Sequence, residues 1–272
     1  MKYLLLALVA LSCLAGAQDW APDAQAPAQP AIDRTKVRVV QNLGGQVPMD
    51  DSFKDQTGQT VTIGQILGSR PALVLPIFYR CQGVCSVEFN ELLQALPQLN
   101  QRVGKDFNVI VLSIDPQEGT DLAAEKYAEV FSTAPKLKGT EAGWHVLTGS
   151  LGSIRKLTDK LGFYYTYDAK NDVINHPSGI MFLTSSGEIS SYILSPTFGT
   201  DRLSEDINVA NASKLGVKST DIFLGCIHCD PITGHRSIVI GRFLSLAALA
   251  TVLGILGMLA TFSIKSRLSK GA

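Results

Sequence analysis

Two thiols sit four positions apart in Phe78-Tyr79-Arg80-Cys81-Gln82-Gly83-Val84-Cys85. They follow an apolar run, Ala72 to Tyr79, that reads as a buried strand, and a helical pattern begins near Ser86. A helix N-terminus carries partial positive charge and favours thiolate over thiol. A thiolate does two things well: it exchanges with disulfides, and it binds soft metals. Two thiolates alone make a linear or bent Cu(I) site or half of a zinc site, and a third donor makes a trigonal soft site. Among the histidines, His145, His176, His228 and His235, one stands out. His176 follows a polar loop and opens a strand in Val173-Ile174-Asn175-His176-Pro177-Ser178. In an α/β sandwich such a strand start can lie beside the end of the central strand, so Cys81, Cys85 and His176 can converge. The plainer alternative is a solvated loop histidine. His145, inside Trp144-His145-Val146-Leu147, reads as a half-exposed strand residue.

A second cluster lies near the other end, in Gly225-Cys226-Ile227-His228-Cys229-Asp230-Pro231-Ile232-Thr233-Gly234-His235. Cys226, His228 and Cys229 can form a second metal site. They can equally form a local disulfide beside the turn Asp230-Pro231-Ile232-Thr233-Gly234. The spacing of three between Cys81 and Cys85, rather than two, tilts the first pair towards metal over dithiol exchange. A peroxidase needs one activated cysteine supported by Thr and Arg; Arg80 is adjacent, but the Thr is absent.

The elements that must position these groups read in order. Phe53 to Val61 reads as a hairpin about Asp55-Gln56-Thr57-Gly58, and Thr62 to Leu67 as a short helix or turn. Leu92, Leu96, Leu99 and Val103 share a face of a helix over Val87 to Val103, which Pro97 kinks or shortens. Phe107 to Ile114 is a second buried strand, ending in a turn at Asp115-Pro116. A helix over Leu122 to Val130, a strand over Trp144 to Leu147 and a helix capped by Ser150 follow. Tyr164, Tyr165 and Tyr167 read as hairpin packing, before a polar loop from Asp168 to Asn175. Strands Ser178 to Thr184 and Glu188 to Leu194 flank the turn Ser185-Ser186-Gly187, and Arg202 to Leu215 is the last helix. The alternation is that of an α/β domain with a mixed sheet.

The chain has 272 residues and zero formal net charge. There is no basic, aromatic-laced patch, which argues against nucleic acid as a partner. Residues 1–17 read as an export signal: Lys2, the apolar run Tyr3 to Leu14, and Ala15-Gly16-Ala17 as cleavage site. Residues 18–36 read as a Pro/Ala-rich tether, 37–219 as the main domain and 220–242 as a juxtamembrane segment. Phe243 to Ile264 is a run of 22 residues without a charge. As a helix it is about 33 Å long, enough for a hydrocarbon core of about 30 Å. Lys265, Arg267 and Lys270 follow in the tail 265–272, against Arg236 and Arg242 before the run, so the positive-inside rule favours, by a reduced margin, a cytoplasmic tail and a main domain outside. The expectation is a bacterial envelope protein, in a compartment where disulfides persist.

Four motifs in order carry a family likeness: Phe78-Tyr79-Arg80-Cys81-x3-Cys85, Val111-Leu112-Ser113-Ile114-Asp115-Pro116, Trp144-x2-Leu147-Thr148-Gly149, and His176 ahead of Ile180-Met181-Phe182-Leu183-x3-Gly187. Over about Val37 to Leu215 the chain resembles the Sco/SenC family of thioredoxin-like copper chaperones. The resemblance implies a thioredoxin fold with an inserted hairpin, and one copper ion held by Cys81, Cys85 and His176. It also implies a part in building the binuclear copper centre of cytochrome c oxidase. The partners would be that oxidase's copper-bearing subunit II, an upstream copper donor protein, and the membrane through the C-terminal helix. Four positions depart from the family pattern. Gln82 and Ser86 stand where proline usually follows each cysteine, Asn175 stands where Asp usually precedes the histidine, and Pro177 follows it. A thiol-disulfide oxidoreductase that reduces an oxidase subunit's cysteines is the alternative.

Overall fold

Two runs, Ala-Leu-Val-Leu-Pro-Ile and Asn-Val-Ile-Val-Leu-Ser, are buried at every position, and they form the middle of the sheet. A computed structural model of the chain describes residues 36–81, 83–168, 173–195, 197–219 and Thr251. The export signal, all but the last residue of the tether, the cluster of Cys226, His228 and Cys229, and the tail lie outside the described residues. So does the apolar run Phe243 to Ile264 apart from Thr251. Among the described residues no helix is long and apolar enough to cross a membrane.

The elements run in this order: β1 (Arg38–Val39), β2 (Ser52–Lys54), β3 (Thr60–Thr62), α1 (Ile63–Leu67), β4 (Ala72–Ile77), α2 (Val84–Ala95), β5 (Asn108–Ser113) and α3 (Thr120–Thr133). Then come β6 (Trp144–Leu147), α4 (Leu151–Lys160), β7 (Phe163–Tyr164), β8 (Thr166–Asp168), β9 (Val173–Asn175), β10 (Ile180–Leu183), β11 (Ile189–Ile193) and α5 (Thr200–Asn211). The five-stranded sheet has the order β11-β10-β4-β5-β6. Strands β4, β5 and β6 are parallel, and β10 runs antiparallel to both β4 and β11. This is the mixed α/β sheet that the alternation of elements predicts.

Because successive side chains of a strand alternate faces, each face gathers its own core. Leu73, Leu75, Ile77, Val109 and Val111 pack with Phe89 and Leu92 of α2, Ala123 and Val130 of α3, and Leu203 and Ile207 of α5. Val74, Ile110, Leu112 and Met181 pack on the other side with Phe53, with Ile63 and Leu67 of α1, and with Ile154 and Leu157 of α4. Helix α1 starts at a full capping box between Thr62 and Gln65, and Ser150 caps α4 through the amide of Ser153. Gly187 turns the β10–β11 hairpin at φ +80, a conformation that glycine adopts at least cost.

Three expectations shift. Helix α2 begins at Val84 rather than Val87, so Cys85 lies in its first turn. It ends at Ala95, and Leu96–Gln98 continues as one 3-10 turn around Pro97. The end of the polar loop after Tyr167 is a strand: β9 pairs with β8, Thr166 opposite Asn175. Tyr164 and Tyr165 pack as expected, with the guanidinium of Arg155 lying 3.8 Å from the centre of the Tyr165 ring, but Tyr167 is exposed.

One register sets up the site. Strand β4 pairs with β5 along its whole length, Ala72 to Ile77, but its ladder with β10 ends at Val74. Pro76, two residues on, has no N–H with which to extend a ladder. Continuing the β10 register would set Gly179 opposite Pro76 and His176 opposite Tyr79. The histidine is therefore carried to the end of β4 by the same pairing that builds the sheet.

Candidate metal centre

Cys81 follows the end of β4, and Cys85 enters the first turn of α2. The Gly83 N–H donates to Cys81 Sγ at 3.3 Å, and the Ser86 hydroxyl donates to the Cys81 carbonyl, folding the loop onto the helix. Ser86 thus does by hydrogen bond part of what a proline would do by stiffness. Both cysteines are thiols. Cys81 is half-buried, while Cys85 is 1 % exposed.

His176 meets them from across the chain. Its Nε2 lies 2.7 Å from Cys85 Sγ, and the residue is 1 % exposed. Its Nδ1 lies 2.8 Å from the carbonyl of Pro177. A carbonyl only accepts, so Nδ1 carries the proton and the Nε2 lone pair is left for the sulfur side. The rings of Phe78 and Phe163, with centroids at 5.8 and 6.0 Å, hold the imidazole. This is a buried, oriented histidine and not a solvated one.

The Cys81 thiol is lowered from 9.0 to about 4. The Cys85 side chain is the main cause; contacts from His176 and from the amides of Gly83 and Cys85 add to it, against the opposing effect of burial. The helix N-terminus thus favours thiolate through two named amides. Cys85 and His176 are hydrogen-bonded to each other, and both bear on the Cys81 thiol. Among the described residues no three His, Cys, Asp or Glu side chains are already arranged as a metal cage. Asp115 is a turn residue, its carboxylate accepting the Gln117 N–H at 2.8 Å.

Two buried carboxyls flank the thiol loop, and neither belongs to a motif. Glu118, 3 % exposed, accepts the N–H of Tyr79 at 2.8 Å, the N–H of Arg80 at 2.9 Å and the Ser113 hydroxyl at 2.6 Å. It ties the start of the loop to the end of β5. Tyr79, held also through its hydroxyl at 2.6 Å from the Leu147 carbonyl, is fixed at both ends. Glu88, one turn after Cys85, is fully buried, and neither of its oxygens has a hydrogen-bond partner. Its pKa is raised from 4.5 to about 8, by burial first and by the Cys81 charge as well; the Gly179 amide lowers it without reaching good hydrogen-bond geometry. The apolar stripe of α2 held the signal for Glu88: counting back by four from Leu92 lands on an acid at a core position. Nothing local marks Glu118, because two of its partners are 38 and 39 residues away.

Residues 44–210 match the family model described as SCO1/SenC. Over 130 residues the chain is 28 % identical to a protein described as "Protein SCO1 homolog 1, mitochondrial", from Arabidopsis thaliana; the match takes in 47 % of this chain and 36 % of that protein. The chain thus spans about a third of the length of that curated relative. A crystal structure from Aquifex aeolicus VF5, of a protein described as a candidate for electron transfer, superposes with a TM-score of 0.55 at 24 % identity. It covers 62 % of this chain and 95 % of its own. An SCO1/SenC family lipoprotein from Bacillus anthracis superposes with a TM-score of 0.50 at 16 % identity, covering 62 % of this chain and 98 % of its own. These likenesses carry the thioredoxin-like fold. The family model covers more than half of the chain and takes in Cys81, Cys85 and His176: this chain belongs to the SCO1/SenC family.

Proposed function

We propose that the chain holds one copper ion between Cys81, Cys85 and His176 and passes it to the copper-bearing subunit II of cytochrome c oxidase, to build the binuclear copper centre. The ion is cargo, taken from an upstream donor protein. The observation that carries this reading is the 2.7 Å approach of His176 Nε2 to Cys85, with Nδ1 tied to the Pro177 carbonyl. A second hydrogen-bond partner that fixes the tautomer is how ligating histidines are held. The donor set fits copper: two thiolates and one imidazole satisfy Cu(I), and the nitrogen also suits Cu(II). The lowered pKa of Cys81, about 4, readies that sulfur as a thiolate ligand at neutral pH. The apolar run Phe243 to Ile264 would hold the domain at the outer face of a bacterial membrane, with Cys226, His228 and Cys229 beside it.

Purified full-length protein, reduced and then loaded, is expected to take one equivalent of copper at this site. Its thiolate-to-Cu(II) charge-transfer band should vanish in His176→Ala. Stable loading that ignores His176 would overturn the donor set.

One observation favours a second reading, thiol-disulfide exchange. Cys81 is half-exposed with its pKa lowered to about 4, while Cys85 is buried, the asymmetry of an attacking and a resolving thiol. Cys81 would attack a partner disulfide and release one partner thiolate. Cys85 would then displace the second, leaving the chain with the disulfide and the partner with both electrons. A thiolate with so low a pKa is a weak nucleophile, though a ready ligand, which sets this reading second. Oxidase assembly that survives His176→Ala would reverse the order.

A further inference from the structure

The Glu88 carboxyl is a buried ionisable group beside this site that the donor set leaves without a task. It is fully buried in α2, and both oxygens lack partners. An orphaned buried carboxyl costs stability, and it calls for a compensating group such as an ion. Its surroundings are the segments that carry the three donors. It lies three residues after Cys85, on the same helix face. The charge of Cys81 bears on it, and so does the amide of Gly179, three residues after His176.

We propose that Glu88 is a further, oxidation-state-selective donor of the Cys81–Cys85–His176 site, placing a carboxylate oxygen on Cu(II) and standing off Cu(I). The inference rests on reading those three residues as the copper donors. Two thiolates and an imidazole complete a trigonal Cu(I) site, whereas Cu(II) prefers a fourth donor in a tetragonal set and accepts oxygen. Charge points the same way. Two thiolates leave one negative charge around Cu(I) and none around Cu(II). Ionised Glu88 on Cu(II) restores the net charge that the site has with Cu(I) and a neutral acid. In a buried site, holding that charge constant avoids a large electrostatic cost. The carboxyl has no hydrogen bond to break before it moves.

The test compares full-length wild type with Glu88→Gln, Glu88→Asp and His176→Ala. Each is titrated with Cu(I) and with Cu(II) against competing chelators, and the Cu(II) forms are read by electron paramagnetic resonance. Glu88→Gln should lose Cu(II) affinity by about tenfold or more, the scale of a lost metal-site contact, and hold Cu(I) within about threefold. Its Cu(II) spectrum should change. Infrared difference spectra of wild type should show a protonated carboxyl band that Cu(II), but not Cu(I), removes and that Glu88→Gln lacks. If the Gln protein does not fold, Glu88→Asp keeps a carboxylate at shorter reach and should alter the Cu(II) spectrum while sparing Cu(I) affinity. Equal loss of both ions, or wild-type Cu(II) binding in Glu88→Gln, would overturn the role of Glu88 while leaving the dependence on His176 intact. Copper binding indifferent to His176→Ala would instead overturn the donor set.

Discussion

Glu118 and Glu88 are both buried carboxyls beside one thiol loop, and their surroundings are opposite. Glu118 enters from the turn after β5 and meets three donors at 2.6 to 2.9 Å. Glu88 enters from α2 and meets none. A carboxylate with its lone pairs engaged is part of the scaffold, because moving it strands several partners at once. One with no partners adds nothing to the scaffold and is free to serve a ligand. Burial alone does not separate the two; the census of donors does.

The sharpest way to break this contrast is Glu118→Ala. It strands the amides of Tyr79 and Arg80 and the Ser113 hydroxyl, and each stranded buried group costs about 1–3 kcal/mol. A loss of about 3 kcal/mol or more is expected in urea unfolding, with looser copper binding as the loop frees. A loss below 1 kcal/mol would show that water replaces the carboxylate without penalty.

Glu88→Leu should act in the opposite direction, stabilising the chain by about 1–3 kcal/mol at neutral pH by removing an unsatisfied group. The pH dependence sharpens the contrast. Burial, and then the Cys81 charge, raise Glu88 from 4.5 to about 8. Between those values the folded chain holds a proton that the unfolded chain has lost, so this contribution to stability falls as pH rises through the window. Cys81 runs the other way. Held down chiefly by Cys85, it has lost its proton above about 4, whereas the unfolded thiol keeps it until about 9.0; its contribution grows as pH rises between the two. Unfolding midpoints measured across pH should lose the downward trend in Glu88→Leu and the upward trend in Cys81→Ala. A wild-type slope in Glu88→Leu would mean that the acid is ionised when folded.

Cys85→Ala removes the largest influence on Cys81, so the midpoint of Cys81 alkylation against pH should move upward from about 4. An unmoved midpoint would assign the thiolate to the helix amides alone. The smallest change is Ser113→Ala. It takes one of three donors from Glu118 and should cost about 1 kcal/mol, with the two loop amides still held.

Much of this was legible in the sequence. Strands β4 and β5 announce themselves because both faces are covered, which requires unbroken apolar runs. Places at element ends allow Cys81, Cys85 and His176 to meet, but a solvated loop histidine fits the same spacing, and the family resemblance is what singles out His176. The start of α2 was set three residues late because Gly83 caps it without a side-chain hydrogen bond, so no capping residue marks it. Strand β9 hid in a polar stretch, since a three-residue strand is too short for alternation to show. Glu118 was invisible for a different reason: its role is defined by amides that any sequence would provide.

Pro76 has a mechanical consequence. The first half of β4 is bonded on both sides, so shifting it would break two ladders. From Leu75 onward it answers to β5 alone. The thiol loop hangs from that second half. The site is therefore mounted on a cantilever with a stay: the root in the sheet sets where the sulfurs stand, Glu118 braces the chain as far as Arg80, and the length beyond it is what yields when an ion enters or leaves.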